Sequence, residues 1–530
     1  MGVLAKGSAL AALTILAGLG AAEAATFRFA YRTDYNSLDP YALNETFTHS
    51  MQGQIYEPLI GRGKELQLEP ALATRWENPE PTLWRFHLRP DVTFHNGNKF
   101  TADDVIFSWQ RAMKEGSDVA NKLASVKEVK KIDDLTVEVV TSTPNPILPN
   151  EITTWYIMDK EWAEANNATN PTSVAKKVEN FATRNANGTG PFSVKSYEAD
   201  VKTVLVPNPK WWGKVEHNLT EVVFTPIKSD ATRVAALLSN GVDMIYPLPL
   251  QDVPRLKSAG MNVLQGPELR TIFLGMDVER DELLESNVKG KNPLKDVRVR
   301  KAIYQAIDVN GIRDKVMRGA STPSGLMVAP GINGWDGSLN ERLPHDPEAS
   351  RKLLAEAGYP NGFEIGMDCP NDRYVNDEAI CIAIVPMLAR IGITVRLNAQ
   401  TRSLYFQKVL SRNTSFFLLA WQPSSYDSHS PLFNVLGTRE GLVPDAPKGQ
   451  GSYNPGGYSN KRVDELQALV RSETDQIKRN AMIREAFGIH KDEVGHIPLH
   501  QQALAWAVRP GVSVVQRADD VLALWWVKVN

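Results

Sequence analysis

The sequence predicts an α/β protein of at least two domains. Helix followed by strand recurs through the second half of the chain, and the first half is richer in alternating, strand-like segments. A length of 530 residues also exceeds what one hydrophobic core usually organises.

In chain order, Thr26 to Arg32 opens the strand-rich half. Trp84, Phe86 and Leu88 then alternate with Arg85, His87 and Arg89, the pattern of a half-buried strand. Asn96-Gly97 supplies a turn, because glycine tolerates positive φ. Thr101 follows as a helix cap with Asp104 three residues on, the acidic variant of a capping box. Val105, Ile106, Trp109, Ala112 and Met113 continue as the expected inward stripe. Leu135 to Val140 reads as a strand, Ser229 to Leu238 as a helix and Gly241 to Tyr246 as the strand after it.

The second half is more regular. Asp346-Pro347 opens a helix as cap and first residue, with Leu353, Leu354 and Ala357 inward and Gly358 as its stop. Phe363 to Met367 is the next strand. The helix after Asn376 turns Ile380, Ile384, Met387, Leu388 and Ile391 inward, with Pro386 expected to kink it. Ile393 to Leu397 and the apolar run Phe416 to Ala420 complete the pattern. We find no internal repeat and no low-complexity linker.

Residues 1–24 read as a cleavable secretion signal: Lys6, the apolar run Ala9 to Gly20, then small residues at Ala22 and Ala24, with the cut before Ala25. A buried N-terminal helix is the alternative. Charge is nearly balanced, 59 basic against 61 acidic residues, so nothing points to a nucleic-acid surface or a polybasic membrane patch. Cys369 and Cys381 are the two cysteines and form either a disulfide closing a short loop or two buried thiols. His496-Ile-Pro-Leu-His500 places two histidines four apart, but Pro498 favours an extended segment, so a metal site is not expected. Neither Gly-x-Ser-x-Gly, nor His-Glu-x-x-His, nor a phosphate loop occurs, which argues against a hydrolase.

Five segments carry a family resemblance. They are Pro70 to Trp109, Asn185 to Trp212 with Gly188-Thr-Gly-Pro-Phe192 and Asn208-Pro-Lys-Trp-Trp212, Asp296 to Asp308, Asn371 to Asp377, and Ser452 to Asp464. Together they resemble the extracellular solute-binding proteins of dipeptide, oligopeptide and nickel ABC importers. That resemblance implies a two-lobed periplasmic-binding-protein fold with mixed sheets and a ligand cleft between the lobes. It implies lobe one at 25–268 with an extra subdomain at 56–184, lobe two at 269–497, and a return to lobe one at 498–530. The crossings fall near Pro267 to Leu274 and Ile497 to Gln501. It further implies a monomer in the periplasm that delivers a small peptide or peptide-like solute to a membrane permease, without a cofactor. Opines, oligosaccharides and nickel chelates are the alternative ligands on this scaffold.

The resemblance also nominates site residues. Arg373, beside Tyr374, falls where dipeptide-binding relatives hold the substrate carboxylate; a structural pair with Asp372 or Asp377 is the other reading. Trp421 matches a tryptophan that covers the ligand, or it packs in the core. Three residues later, where peptide binders carry an aspartate for the ligand's ammonium, this chain has Ser424. Either Asp427 substitutes for it or the ligand presents no free amine there, because a hydroxyl does not balance a buried charge. Thr46 and Phe47 are further lining candidates, with Asn44 expected to cap the helix that follows.

Overall fold

The computed structural model describes residue 2 and residues 25–530 apart from positions 175, 444, 445 and 448. The expected signal segment thus lies outside the described residues, save residue 2. One eleven-stranded mixed sheet organises the molecule. Two long strands, Asn262–Met276 and His496–Val508, pair antiparallel at its centre. Their register breaks between Pro267 and Thr271 and shifts again between Ile272 and Phe273. Both segments lie where the crossings are expected.

On one side of this pair stand Met244–Ile245, Ala25–Tyr31, Leu219–Pro226, Lys202–Pro207 and Phe192–Glu198. On the other, Phe416–Trp421 leads to Phe363–Pro370 and Ile393–Gln400, the last two running parallel. Helices Pro347–Glu356, Asp377–Ala389 and Arg402–Leu410 alternate with these strands. The Asp346 carboxylate accepts the Ala349 N–H at 2.9 Å, and Pro347 occupies the first turn, where a missing N–H costs nothing. Pro386 lies inside its helix on the exposed side, while Ile380, Ile384 and Leu388 are fully buried.

A separate antiparallel sheet, ordered Ala73–Glu80, Leu83–Leu88, Thr136–Thr141 and Val126–Asp133, stands within the first half. Trp84, Phe86 and Leu88 face its core as the alternation requires, and that core is continuous with Phe27, Phe29 and Phe224 of the main sheet. Thr101 caps helix Ala102–Ala112: its Oγ1 accepts the Asp103 N–H at 3.3 Å, and its own N–H donates to Asp104 Oδ2 at 2.8 Å. The inward face of that helix is rotated from the expected one. Met113 is exposed and Ile106 and Trp109 are half-buried, whereas Phe107 and Arg111 are buried. Arg111 turns inward because it donates to both oxygens of the buried Asp39, at 2.8 and 2.6 Å.

The strand expected over Gly241 to Tyr246 contracts to Met244–Ile245. Gly241 and Val242 instead donate to Ala236 O and close the preceding helix, and Asp243 is held by Arg28 and Arg509. In the Gly188-Thr-Gly190 segment, a Cβ at either glycine would overlap the Gln54 or Ile55 backbone, within 2.6 Å at Gly190 and closer at Gly188. The tryptophans that follow, Trp211 and Trp212, both donate their indole N–H to the buried Glu57, at 3.0 and 2.8 Å.

Candidate binding cleft

The Arg373 loop connects the strand Phe363–Pro370 to the helix Asp377–Ala389. Asp377 Oδ2 accepts the backbone N–H of both Arg373 and Tyr374 at 2.9 Å, which leaves the arginine side chain unclaimed. Asn376 adopts φ +55 and donates to Val316 O at 2.9 Å, turning the chain into the helix. A disulfide between Cys369 and Cys381 closes the same loop from below. The alternative of two free thiols is thereby excluded in this structure.

A hydrogen-bonded chain ties this loop to the crossing strands. Val375 N–H donates to Gln502 Oε1 at 3.0 Å, and Gln502 donates to Glu268 Oε2 at 2.6 Å. Glu268 in turn pairs with Arg270 at 3.0 Å, and Arg270 donates to Gln422 Oε1 at 2.6 Å. Gln502 and Gln422 are thus tied to groups from other segments, while Arg270 reaches Glu268 along their shared strand. Two adjoining cavities open around it. The first, of about 310 Å³, is bounded by Thr46, Glu268, Arg373, Tyr374, Gln502 and Asp520 among others. The second, of about 440 Å³, shares Arg270, Arg373 and Tyr374 and extends to Arg402, Phe406, Trp421 and Tyr453.

The electrostatics of this cleft are uneven. Burial pushes the Arg373 guanidinium below the usual arginine range, and the nearby cations Arg270, Arg402 and Arg32 push it the same way. Among the described residues no carboxylate stands within ion-pairing distance of Arg373, Arg402 or Arg32. Arg270 differs: Glu268 outweighs its burial and raises it. Asp520 is the opposite case, a carboxyl pushed up to about 7 by burial and by the adjacent Glu268.

The expected site residues divide sharply. Arg373, Tyr374, Thr46 and Trp421 line the two cavities. Trp421 is half-buried, donates to Ser430 Oγ at 3.1 Å and packs on Tyr453, so it lines the cleft and braces the core at once. Phe47 does not line them. It is buried and stacks flat on Tyr31, with centroids 3.8 Å apart, and it is Tyr31 that reaches the cavity. Asn44 does not cap its helix; Glu45 holds that position, and Asn44 Oδ1 bonds His49 Nε2 at 2.8 Å.

Ser424 lines a different cavity, of about 350 Å³, with Asn145, Glu151, His429 and Arg471, and shares no lining residue with the Arg373 cavities. Asp427 is withdrawn from any ligand. Both its oxygens are bound by Arg479, and Asn333 Nδ2 and the His429 N–H complete its shell. A carboxylate satisfied on all sides has nothing to gain from an incoming ammonium. The residues missed by reading the sequence are Glu268, Arg270, Gln502 and Asp520. Glu268 and Arg270 sit on the first expected crossing and Gln502 one residue past the second, and that placement was the available signal.

Of other groupings, Asp104, Asp159 and Glu161 converge within 4.8 Å. Asp159 Oδ2 already accepts amide N–H groups from Asn96, Asn98 and Asn187, and Asp104 caps a helix, so the cluster is structural. His496 and His500 lie on one extended strand, both buried and pushed down to about 3 by burial. No helix among the described residues is long and apolar enough to cross a membrane.

Known proteins resemble this chain in sequence and fold. Residues 67–441 match the model of the bacterial extracellular solute-binding proteins, family 5, middle region. The dipeptide-binding protein of Escherichia coli (strain K12) is 26% identical over 545 residues, covering 97% of this chain and 95% of that protein. The probable deoxycholate-binding periplasmic protein of the same organism is 24% identical over 516 residues, 92% of this chain and 90% of that one. The ABC transporter-associated periplasmic binding protein of Helicobacter pylori, solved with the peptide STSA, superposes with a TM-score of 0.74 at 22% identity. That superposition covers 96% of this chain and 98% of the other, and the fold is accordingly the two-lobed α/β one. With the family model spanning most of the chain, this protein belongs to the bacterial extracellular solute-binding proteins, family 5.

Proposed function

We propose that this protein is the periplasmic solute-binding component of an ABC importer. It takes a di- or oligopeptide, or a peptide-like solute, into the cleft around Arg373 and hands it to a membrane permease. The observation that carries this reading is a half-buried arginine with no acidic partner among the described residues, facing a cavity beside the two long central strands. A guanidinium fork in that position matches a carboxylate bidentately, and the low-dielectric surroundings strengthen the pair. The relatives agree in chemistry: one is named for dipeptides, one for a bile acid that also carries a carboxylate, and one was solved with a peptide. Binding without turnover is the activity, in a monomer freed of residues 1–24 by export.

Movement follows from the same architecture. Residues 25–268 and 498–530 form lobe one, with the extra subdomain at 56–184, and residues 269–497 form lobe two. Rotation is absorbed at the register break between Pro267 and Thr271 and at its partner strand near Gln501. Tyr426 of lobe two donates to Asp519 at 2.8 Å and lies beneath Arg62, so closed lobes are tied even outside the ligand. A solute touching both lobes favours the closed form by its differential affinity for it, which is what a permease reads.

The test is a thermal-shift comparison on protein starting at Ala25, refolded to strip carried-over solute. Peptides with free C-termini are set against the same peptides as C-terminal amides. At about a hundred times its dissociation constant a true ligand stabilises by about 2.7 kcal/mol. Stabilisation by the acids and not by the amides is expected; equal response to both, or to neither, refutes the assignment.

A further inference from the structure

The cleft also contains an acid, of opposite sign to Arg373 and with no cationic partner among the described residues, that no sequence pattern pointed to. Three acids line or adjoin the 310 Å³ cavity near the crossing strands: Glu268, Asp519 and Asp520. Glu268 is spent on Arg270 and Gln502. Asp519 lies just behind, gripped by both ends of the Arg517 guanidinium and by the Tyr426 hydroxyl at 2.8 Å. Asp520 alone keeps a free oxygen. Its Oδ1 accepts the Trp506 indole N–H at 3.0 Å, and its Oδ2 accepts no hydrogen bond from any described residue. Arg32, Glu45 and Asp230 also border the cavity, but all three are exposed, and Asp230 is paired with Arg233.

One cavity therefore holds a half-buried cation and a half-buried acid, neither of them ion-paired among the described residues. We infer that Asp520 holds the amino group of the solute whose carboxylate Arg373 takes, doing from the C-terminal segment what an aspartate at position 424 does in peptide-binding relatives. This rests on the proposed carboxylate role of Arg373. The ligand class it names is a short zwitterion with a free amine, such as an unblocked dipeptide. Ser424, in its separate cavity, then has no bearing on whether that amine is required.

The backbone supports the assignment. Asp520 adopts φ +62, a left-handed conformation that Asp and Asn enter more readily than other side chains, and its N–H donates to Arg517 O at 3.1 Å. Asparagine is thus a faithful test residue, keeping the turn and the Trp506 bond while removing the charge. The unliganded carboxyl titrates at about 7 because burial and Glu268 disfavour its charge, with Asp519 adding to this and Arg270 and Trp506 opposing it. Tyr31 and Tyr246, also near, stay protonated throughout this range. An ammonium must find Asp520 ionised, so binding it below pH 7 releases a proton and weakens by up to about tenfold per pH unit. Loss of the ligand's own amine proton near pH 8 closes the window from above.

The experiment measures dissociation constants for a dipeptide panel, each member intact and N-acetylated, on the wild type, Asp520→Asn and Glu151→Gln. Glu151 is the half-buried acid of the Ser424 cavity, and its variant is the control for that location. Expected is a preference of the wild type for intact over acetylated dipeptides of about tenfold or more, falling to about one in Asp520→Asn and unchanged in Glu151→Gln. The intact ligand should bind best near pH 7.5 in the wild type and lose the acidic limb of that profile in Asp520→Asn. The inference is overturned if the wild type ignores acetylation, if Asp520→Asn keeps the preference, or if Glu151→Gln removes it. Loss of discrimination between free acids and C-terminal amides would instead refute the Arg373 reading, and absence of any binding refutes both.

Discussion

Arg479 grips both carboxylate oxygens of Asp427, at 2.6 and 2.7 Å, with neither side chain open to solvent. The pair joins the segment after Trp421 to the helix Gln476–Glu493, and neither residue lines the two cavities around Arg373. Removing one partner leaves a buried charge uncompensated. Asp427→Asn is expected to lower unfolding free energy by about 3–5 kcal/mol, read from denaturant midpoints. A double replacement by leucine and methionine should recover most of that loss, and ligand affinity in the folded double variant should stay within a few-fold. A single variant as stable as the wild type would contradict the pairing.

Arg373 is expected to act on affinity and not on stability. Its backbone is held by Asp377, and its guanidinium stands over the Tyr374 ring, 5.1 Å from the centroid. Arg373→Gln should weaken binding of a carboxylate ligand by about 10- to 100-fold, the worth of a charge-assisted bond, with an unchanged melting profile. Arg373→Lys should restore only part, since an ammonium cannot present the planar fork. Titration calorimetry showing equal affinities for all three proteins would remove Arg373 from the site.

The Cys369–Cys381 bond closes a segment of 12 residues' separation that contains Arg373. In the chain-entropy model such a loop contributes roughly 3 kcal/mol, less any native strain. Replacing both cysteines by alanine should cost about that much, and should also weaken ligand binding because the loop is loosened. Unfolding with and without reductant checks the first effect. A variant with normal stability and normal affinity would show that the helix cap at Asp377 holds the loop unaided.

Acid sensitivity follows from Asp39. Burial alone would raise its carboxyl, but Arg111 and the N–H groups of Tyr41 and Thr172 outweigh that, and the net direction is down. A depressed acid stabilises the fold above its unfolded value near 4 and loses that contribution as pH falls through the lower folded value. Asp39→Asn should therefore be destabilised by about 3–5 kcal/mol at pH 7, with the gap to the wild type closing below pH 4. A gap that stays constant down to pH 2.5 would show that Arg111 does not hold the charge.

Where local rules suffice, the chain is legible. The Thr101 and Asp346 caps, the inward face of Leu83–Leu88 and the alternation of helix and strand after Pro347 each depend on residues a few positions apart. Errors begin where a distant partner intervenes. Arg111 turns its helix toward Asp39, which lies 72 residues away, and Asp243 leaves the strand for Arg28 at a separation of 215.

The same division runs through the binding site. Family, fold and the position of Arg373 are carried by short segments whose spacing survives in one dimension. Which charges stay free is not, because that depends on what else folds against them. Asp427 is neutralised by Arg479 from 52 positions on, and Glu268 accepts a hydrogen bond from Gln502 at a separation of 234. Asp520, one residue from the fully paired Asp519, keeps an oxygen unbound. A list of residues cannot tell these acids apart; only the tertiary packing decides which of them water, protein or ligand must satisfy.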